Sequence, residues 1–335
     1  MATLELAIEL GTCNTAIYML GHGVVLYEPS IVAFSNDVKQ KKIKAVGLQA
    51  IQMVGKSPVD TAVVNPISEG LIIDEDACVR MLKVFLKKLT PKELIFNPKF
   101  KAILCVPMGL SSIERRCFES VCLKAGISEI SLIESALASA IGLDLPVTNA
   151  NCNLVVNCGG GKTDIAVVSM CKIVEGCSLN IGGNMLDLAI IDFILGKYNV
   201  RVGKQSAKKI KHDIVSLYQN DSSQTQILGA DIKERTPVEA TVNAEDLLDC
   251  IMPYFDKIVE GIKIVLSKCN PEVVADIKLV GLNLCGGLSQ LPGIDEMLKK
   301  NLGLNINQVD NPSFVSISGA GKLIADKKLL KDIIE

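Results

Sequence analysis

The chain has 335 residues, 49% of them hydrophobic, with a formal net charge of -2 and 12 cysteines. That length can bury a large core and suggests two domains, while the near-neutral charge argues against a nucleic-acid binder, which is usually basic. No apolar run reaches the length of a membrane span, and the N-terminus lacks the charged region and cleavage site of a signal peptide, so a cytoplasmic protein is expected.

The cysteines contain no C-x-x-C and fall mostly in apolar runs, as at Cys105, Cys152 and Cys285. Reduced core thiols are expected rather than a metal cluster. His22 lies in a Gly-His-Gly turn and His212 on a polar helix face, and neither has a ligand-spaced Cys. The lysine blocks Lys39–Lys44 and Lys204–Lys211 read as solvated faces.

Taken in order, Leu4 to Glu9 is an apolar run ending in an acid, Gly11 to Thr15 a polar turn, and Ala16 to Leu20 a second run. Strands continue to Ser35, and Asp37 to Lys44 is a polar excursion. A short helix is expected over Leu48 to Val54, then loop and strand over Ser57 to Glu69. Asp76 to Leu89 is amphipathic, with Val79, Leu82, Val84, Phe85 and Leu86 available for burial. Ala102 to Val106 reads as a buried strand closed by Pro107. Ser111 or Ser112 caps a helix with Glu114 in its first turn, running to about Lys124 before the stop at Gly126. Glu134 to Ile141 carries Ala136, Ala138, Ser139 and Ala140, small residues that permit a close helix crossing. Pro146 to Asn153 is the expected linker into the second half.

The second half opens on LVVNCGGGKTDIAVVS, Leu154 to Ser169. It reads as strand, glycine turn and strand. Glycines there let backbone N–H groups approach an anion closely, so the turn is either a phosphate cradle or a plain hairpin. It is not a P-loop, because Val156 stands where the first glycine is needed and Asp164 to Val168 is strand-like. It is not a dinucleotide fingerprint either, since Lys162 and Asp164 occupy glycine positions. Gly182-Gly183 precedes a helix over Met185 to Tyr198, and Ala207 to Tyr218 is a second, with Ile210, Ile214 and Leu217 on one stripe. Gln226 to Val242 alternates as strands, with Pro237 excluding a central one. Asn243 is expected to cap a helix over Ala244 to Cys250, which Pro253 would kink before it continues to Lys268. Leu284 to Leu288 is a strand end with Gly286-Gly287, followed by a helix over Pro292 to Leu302. A closing helix is expected from Gly319 to Lys328.

Two polar hairpin turns, one early in each half, plus a late glycine pair resemble the actin/Hsp70/sugar-kinase ATPase superfamily. ELGTCNTAIY (Glu9–Tyr18), YEPSIVA (Tyr27–Ala33), CVPMG (Cys105–Gly109), IERR (Ile113–Arg116), LIESALASAIG (Leu132–Gly142), GGGKTDIAVVS (Gly159–Ser169), IGGNMLD (Ile181–Asp187) and IKHDI (Ile210–Ile214) narrow the resemblance to the MreB family of bacterial actins. It implies an actin-like α/β fold of two duplicated domains, residues 1–148 and 149–335, with small inserted subdomains near 33–76 and 183–243.

The resemblance also implies ATP or ADP and Mg²⁺ between the halves. Gly11, Thr12, Cys13 and Asn14 of the first turn, with Asn157, Gly159, Gly160, Gly161 and Lys162 of the second, would bind phosphates. Gly182, Gly183, Lys208, Lys211, Gly286, Gly287 and Leu288 would complete the nucleotide site. Glu9 and Asn157 would reach the metal through water, where the family normally has Asp at both. The family's second crossover-helix Glu is Ser135 here, the Thr after the glycines is Lys162, and a Glu near the ribose is Lys208. Ser135 is no base at neutral pH and a charged Lys accepts no proton, so impaired hydrolysis is expected. Ile113 and Phe118 would face a paired, antiparallel protofilament, or else the domain core. Leu94, Ile95 and Phe96, flanked by lysines, would enter an anionic bilayer at the inner membrane face, or else start a core strand. The implied role is a self-assembling cytoskeletal protein in cell shape or force generation. Alternatives are a working ATPase or sugar kinase on the same fold, and a regulatory subunit that copolymerises with a paralogue.

Overall fold

The computed structural model describes residues 3–35, 42–90 and 98–334. The first half runs β1 (Thr3–Leu10), β2 (Asn14–Met19), β3 (Gly23–Pro29), β4 (Val32–Ser35), β5 (Ile43–Val46), α1 (Leu48–Ile51), β6 (Thr61–Val64), β7 (Ile67–Ser68), β8 (Leu71–Ile72), α2 (Glu75–Leu89), β9 (Lys99–Val106), α3 (Ser112–Ala125), β10 (Ile127–Glu134) and α4 (Ser135–Gly142). The second runs β11 (Asn153–Cys158), β12 (Thr163–Ser169), β13 (Lys172–Leu179), α5 (Gly183–Tyr198), β14 (Val200–Arg201), α6 (Lys204–Ile214), β15 (Gln224–Asp231), β16 (Pro237–Asn243), α7 (Ala244–Lys268), α8 (Pro271–Val280), β17 (Leu282–Cys285), α9 (Ile294–Leu302), β18 (Ile306–Gln308), α10 (Val315–Ala325) and α11 (Lys327–Ile334).

Two five-stranded sheets carry the molecule, ordered β10-β9-β1-β2-β3 and β13-β12-β11-β17-β18. In each, a three-strand antiparallel meander joins two later strands that run parallel to its first. The halves thus repeat one topology. Smaller sheets β5-β4-β6 and β14-β15-β16 are added to the first and second half respectively.

The central strands are apolar on both faces because helices cover both. Leu6, Ala7 and Ile8 of β1 and Leu154, Val155 and Val156 of β11 are fully buried. Between the sheets, α4 crosses α10 with almost no side chain between them. A Cβ on Gly319 would collide with the Ala138 carbonyl, and one on Gly142 with the Val315 carbonyl. The small residues of α4 therefore serve a close crossing, and that crossing joins the two halves in a shared core with Ala136, Ala140, Ile317 and Ala320.

Several element limits differ from expectation. α10 begins at Val315 rather than Gly319, because the glycine lies mid-helix at the crossing. α6 ends at Ile214, where Val215 turns extended and the Leu217 N–H bonds instead to the Pro292 carbonyl at 2.8 Å. Asn243 does not cap α7 with its side chain. The capping box of α3 forms as expected: Ser111 Oγ accepts from the Glu114 N–H, and Glu114 Oε2 accepts from the Ser111 N–H at 2.7 Å.

Candidate nucleotide cleft

The carboxyl ends of β1 and β11 face one another, the usual place for a ligand crevice in such sheets. A cavity of about 490 Å³ opens there. Gly11, Thr12, Cys13 and Asn14 line it from the β1–β2 turn, and Asn157, Gly159, Gly160, Gly161 and Lys162 from the β11–β12 turn. The two turns interlock. A Cβ on Gly160 would strike Cys13 Sγ, and one on Gly161 would strike Thr12 Oγ1. Only glycine leaves room for the turns to meet while keeping their amides near the cavity. The N-terminus of α5 supports the second turn from behind: the Gly183 N–H donates to the Gly159 carbonyl at 3.1 Å, and the Asn184 N–H to the Gly160 carbonyl at 2.8 Å.

The β7–β8 turn closes this junction. The Gly70 N–H donates to Thr12 Oγ1 at 2.8 Å. Gly70 has a left-handed φ of 72°, and a Cβ there would lie 2.9 Å from Lys162 Cδ and 3.0 Å from Pro107 Cγ. The stem of Lys162 therefore crosses from the second half onto the first. Lys162 is flanked by Glu114 and Asp164, whose carboxyls its charge draws down, but it makes no hydrogen bond or ion pair among the described residues.

Two carboxyls line the floor. Glu9 is pushed up to about 7 by burial, opposed by the hydroxyl of Ser316, which donates to Glu9 Oε2 at 2.8 Å. Asp164 is raised by burial as well, against hydrogen bonds from Ser135 and Ser178. Ser135 Oγ donates to one of its oxygens and Ser178 Oγ to the other, each at 2.6 Å. Asp164 was missed as a site residue in the sequence, where it reads as one polar letter in a strand; a lone acid among β-branched residues was the available signal. Tyr27 and Phe314 were missed too. They line the cavity and meet edge to face, ring centroids 4.8 Å apart, and Asn14 Nδ2 donates to the Tyr27 hydroxyl at 2.9 Å.

The other end is lined by Gly183, Lys208, Lys211, Gly286, Gly287 and Leu288. Gly286, with φ of 88°, has no room for a Cβ, which would lie 2.5 Å from Asn157 Oδ1. Lys211 is buried and committed: its Nζ donates to the Gly183 carbonyl at 2.7 Å and lies 2.6 Å from Asp187 Oδ1. Asp187 Oδ1 receives no aligned hydrogen bond, so that pairing acts through charge. His212 beside it is held low by burial and by Lys211 and Lys208.

Among the expected nucleotide residues only Gly182 stays out of the cavity wall. A Cβ there would lie 2.6 Å from Gly160 C, so Gly182 packs behind the turn. Glu134 is turned away from the cavity onto Arg115, 2.7 Å from its Nη2. Phe118 is a correction: it is 1% exposed, inside the core of the first half, and is no interface residue. Positions five apart on a helix lie about 140° apart, so Ile113, 78% exposed, faces away from it. Leu94, Ile95 and Phe96 lie outside the described residues.

The donor set fits a protein-held Mg²⁺ poorly. Mg²⁺ favours anionic oxygens or waters fixed by them. Here Asn157 is uncharged, an oxygen of Glu9 is taken by Ser316, and both oxygens of Asp164 are taken by serines.

The family model for MreB/Mbl protein matches residues 3–332. The chain is 35% identical to the cell shape-determining protein MreB of Escherichia coli K12 over 97% of its own length and 94% of that protein. It is 32% identical to the cell shape-determining protein Mbl of Bacillus subtilis 168, over 97% and 96%. Its backbone matches MreB5 of Spiroplasma citri bound to ADP with a TM-score of 0.89 at 29% identity, covering 99% and 98% of the two chains. A MamK double helical filament subunit matches with a TM-score of 0.81 at 20% identity over 96% and 99%, a likeness of fold alone. With duplicated sheets, paired turns and these matches in hand, the fold is the actin-like ATPase fold and the chain belongs to the MreB/Mbl family.

Proposed function

We propose that this protein binds ATP or ADP in the cleft and assembles into cytoskeletal filaments, with ATP hydrolysis strongly impaired. The observation that carries the reading is the interlock of both glycine turns with the Gly70 turn around one cavity. It offers backbone donors to phosphates from both halves, independent of the altered side chains. The relative MreB5 binds ADP and AMPPNP at a similar fold. Mg²⁺ would come with the phosphates, and Glu9 would meet it through water.

Impaired hydrolysis follows from Ser135 and Lys162. The Ser135 hydroxyl donates its hydrogen bond to Asp164 and has no basicity to offer a lytic water. Phosphate release at saturating ATP is the test, expected about 10²–10⁴-fold below that of the E. coli relative, the usual worth of general-base help. A rate equal to the relative's would overturn it. One observation favours a working hydrolase: Asp164 is a buried carboxylate in the cavity wall. A sugar kinase gains nothing, since Glu134 is tied to Arg115 and Asp187 to Lys211.

The boundary we propose between the domains falls at residues 148–149, between the sheets ending at Glu134 and beginning at Asn153, with inserts at 33–76 and 183–243 around the two smaller sheets. Self-assembly into antiparallel paired protofilaments draws support from exposed Ile113. The cellular role we propose is cell shape or force generation at the inner membrane face, with anionic lipid met by Leu94, Ile95 and Phe96 and paralogous subunits as further partners. No helix among the described residues is long and apolar enough to cross a membrane. Sedimentation with and without nucleotide separates a self-assembling subunit, which pellets alone, from a regulatory one, which pellets only with its paralogue.

A further inference from the structure

We propose that the cleft binds a nucleoside di- or triphosphate without requiring a divalent cation, the Lys162 ammonium supplying the neutralising charge. This rests on the reading of the cleft as a nucleotide site.

A phosphate chain in a partly enclosed cavity needs positive charge beside it. In most phosphoryl sites a metal supplies much of it. Here the groups that would fix a metal's waters are engaged or uncharged. Glu9 Oε2 accepts from Ser316, both Asp164 oxygens accept from Ser135 and Ser178, and Asn157 carries no charge. In the same wall stands Lys162. Its stem lies against Gly70, where a Cβ would meet Lys162 Cδ at 2.9 Å. Its ammonium has three donors and, among the described residues, no bonded partner. Asp164 and Glu114 feel its charge without bonding it: each Asp164 oxygen accepts from a serine, and Glu114 Oε2 accepts from Ser111. Lys208 adds a second cation lining the cavity. Lys211 does not, being spent on Asp187 and the Gly183 carbonyl.

An ammonium–phosphate bond is a charge-assisted hydrogen bond, and losing one costs about ten- to a hundredfold in affinity. The test is fluorescence titration of a methylanthraniloyl-labelled ADP and ATP analogue into the whole chain, in excess Mg²⁺ and in excess EDTA. The variants are Lys162→Met, which keeps the stem packed on Gly70, and Lys162→Arg, which keeps the charge. Wild type and Lys162→Arg should bind with affinities differing by less than about threefold between the two media, while Lys162→Met should weaken about ten- to a hundredfold in EDTA and recover part of it in Mg²⁺. A wild-type affinity that collapses only in EDTA overturns this proposal and leaves the nucleotide site standing. So does a Lys162→Met variant with the wild-type response to Mg²⁺. No binding of either nucleotide in either medium overturns the proposal together with the reading beneath it.

Discussion

Restoring the family's glutamate at residue 135 is the obvious repair of the hydrolytic site, and the structure predicts that by itself it does harm. Ser135 Oγ lies 2.6 Å from an oxygen of Asp164, at a site where both residues are buried. Ser135→Glu sets a second carboxylate against the first and removes the hydroxyl that satisfied it. Two like charges at about 4 Å with an effective dielectric of ~20 repel by about 4 kcal/mol. The pair can escape by keeping a proton, but holding a carboxyl of ordinary pKa ~4.3 protonated at pH 7 costs about 3.7 kcal/mol. Either route gives about 3–4 kcal/mol, a fall in Tm of roughly 4–6 °C for a chain this size. Asp164 is already raised by burial, and the new neighbour raises it further. A folded carboxyl pair that titrates above its unfolded value holds protons the unfolded chain has released, so the variant should regain stability as pH falls from 7 towards 5. Thermal melts at both pH values are the assay, with Ser135→Gln measuring the steric part alone. Adding Asp164→Asn to Ser135→Glu should restore the Tm. Phosphate release should rise only in that double variant, and further when Lys162→Thr is added. A Ser135→Glu protein as stable as Ser135→Gln at pH 7, unmoved by Asp164→Asn, would refute the reasoning.

Glu9, held at about 7 against an ordinary 4.5, stays protonated in the folded chain where the unfolded chain has lost its proton. Stability of the nucleotide-free protein should therefore fall by about 3 kcal/mol as pH rises from 4.5 through 7, and Glu9→Gln should flatten that slope in urea unfolding curves; an unchanged slope assigns it elsewhere. Ile113→Glu, on an exposed position, should leave the Tm unchanged and yield single, unpaired filaments by electron microscopy. Phe118→Ala should instead cost about 3–5 kcal/mol of stability, as for a buried aromatic, and an interface role would return if it unpaired filaments without that loss. Gly160→Ala should weaken ADP binding about tenfold or more by driving the turn from Cys13, and Cys13→Gly should recover part of it; calorimetric titration reads both.

The duplicated plan was legible because its signals are local. Polar or glycine turns between β-branched runs mark both hairpins, and the Ser111–Glu114 box marks the start of α3. What was not legible depends on partners distant in the chain. Asp164 belongs to the site through Ser135 and Ser178, on α4 and β13, and no periodicity joins those three. Lys211 resembles a free cation in a polar helix until Asp187 is seen 2.6 Å away. Gly319 reads as a helix boundary because glycine is costly inside a helix, yet it sits mid-helix where the close approach of Ala138 requires it. Phe118 differs for a simpler reason. The sequence sets it on the same helix as Ile113, but five residues of helical rotation separate their faces.

The altered side chains make most sense taken together. Relative to the pattern the family resemblance implies, Asn157 loses a negative charge, Ser135 loses another, Lys162 adds a positive one, and Lys208 exchanges negative for positive. Glu9 keeps a carboxyl where the family has one, and each change of residue type at the other four positions moves the cleft the same way. A site under selection only to lose hydrolysis could have lost one carboxylate and kept the rest. This one also carries cations on its walls, at Lys162 and Lys208, while each oxygen of Asp164 already accepts from a serine hydroxyl. Meanwhile the features that hold an anion through the backbone are intact: Gly159, Gly160 and Gly161, the Thr12–Gly70 bond, and the left-handed Gly286. Chemistry that splits a phosphate needs a base and a positioned water. Binding one needs donors and charge. On the function proposed above, the cleft lacks part of the first set and keeps the second, which would suit a subunit whose nucleotide is a structural ligand between the two halves, its occupancy linked to stability and assembly.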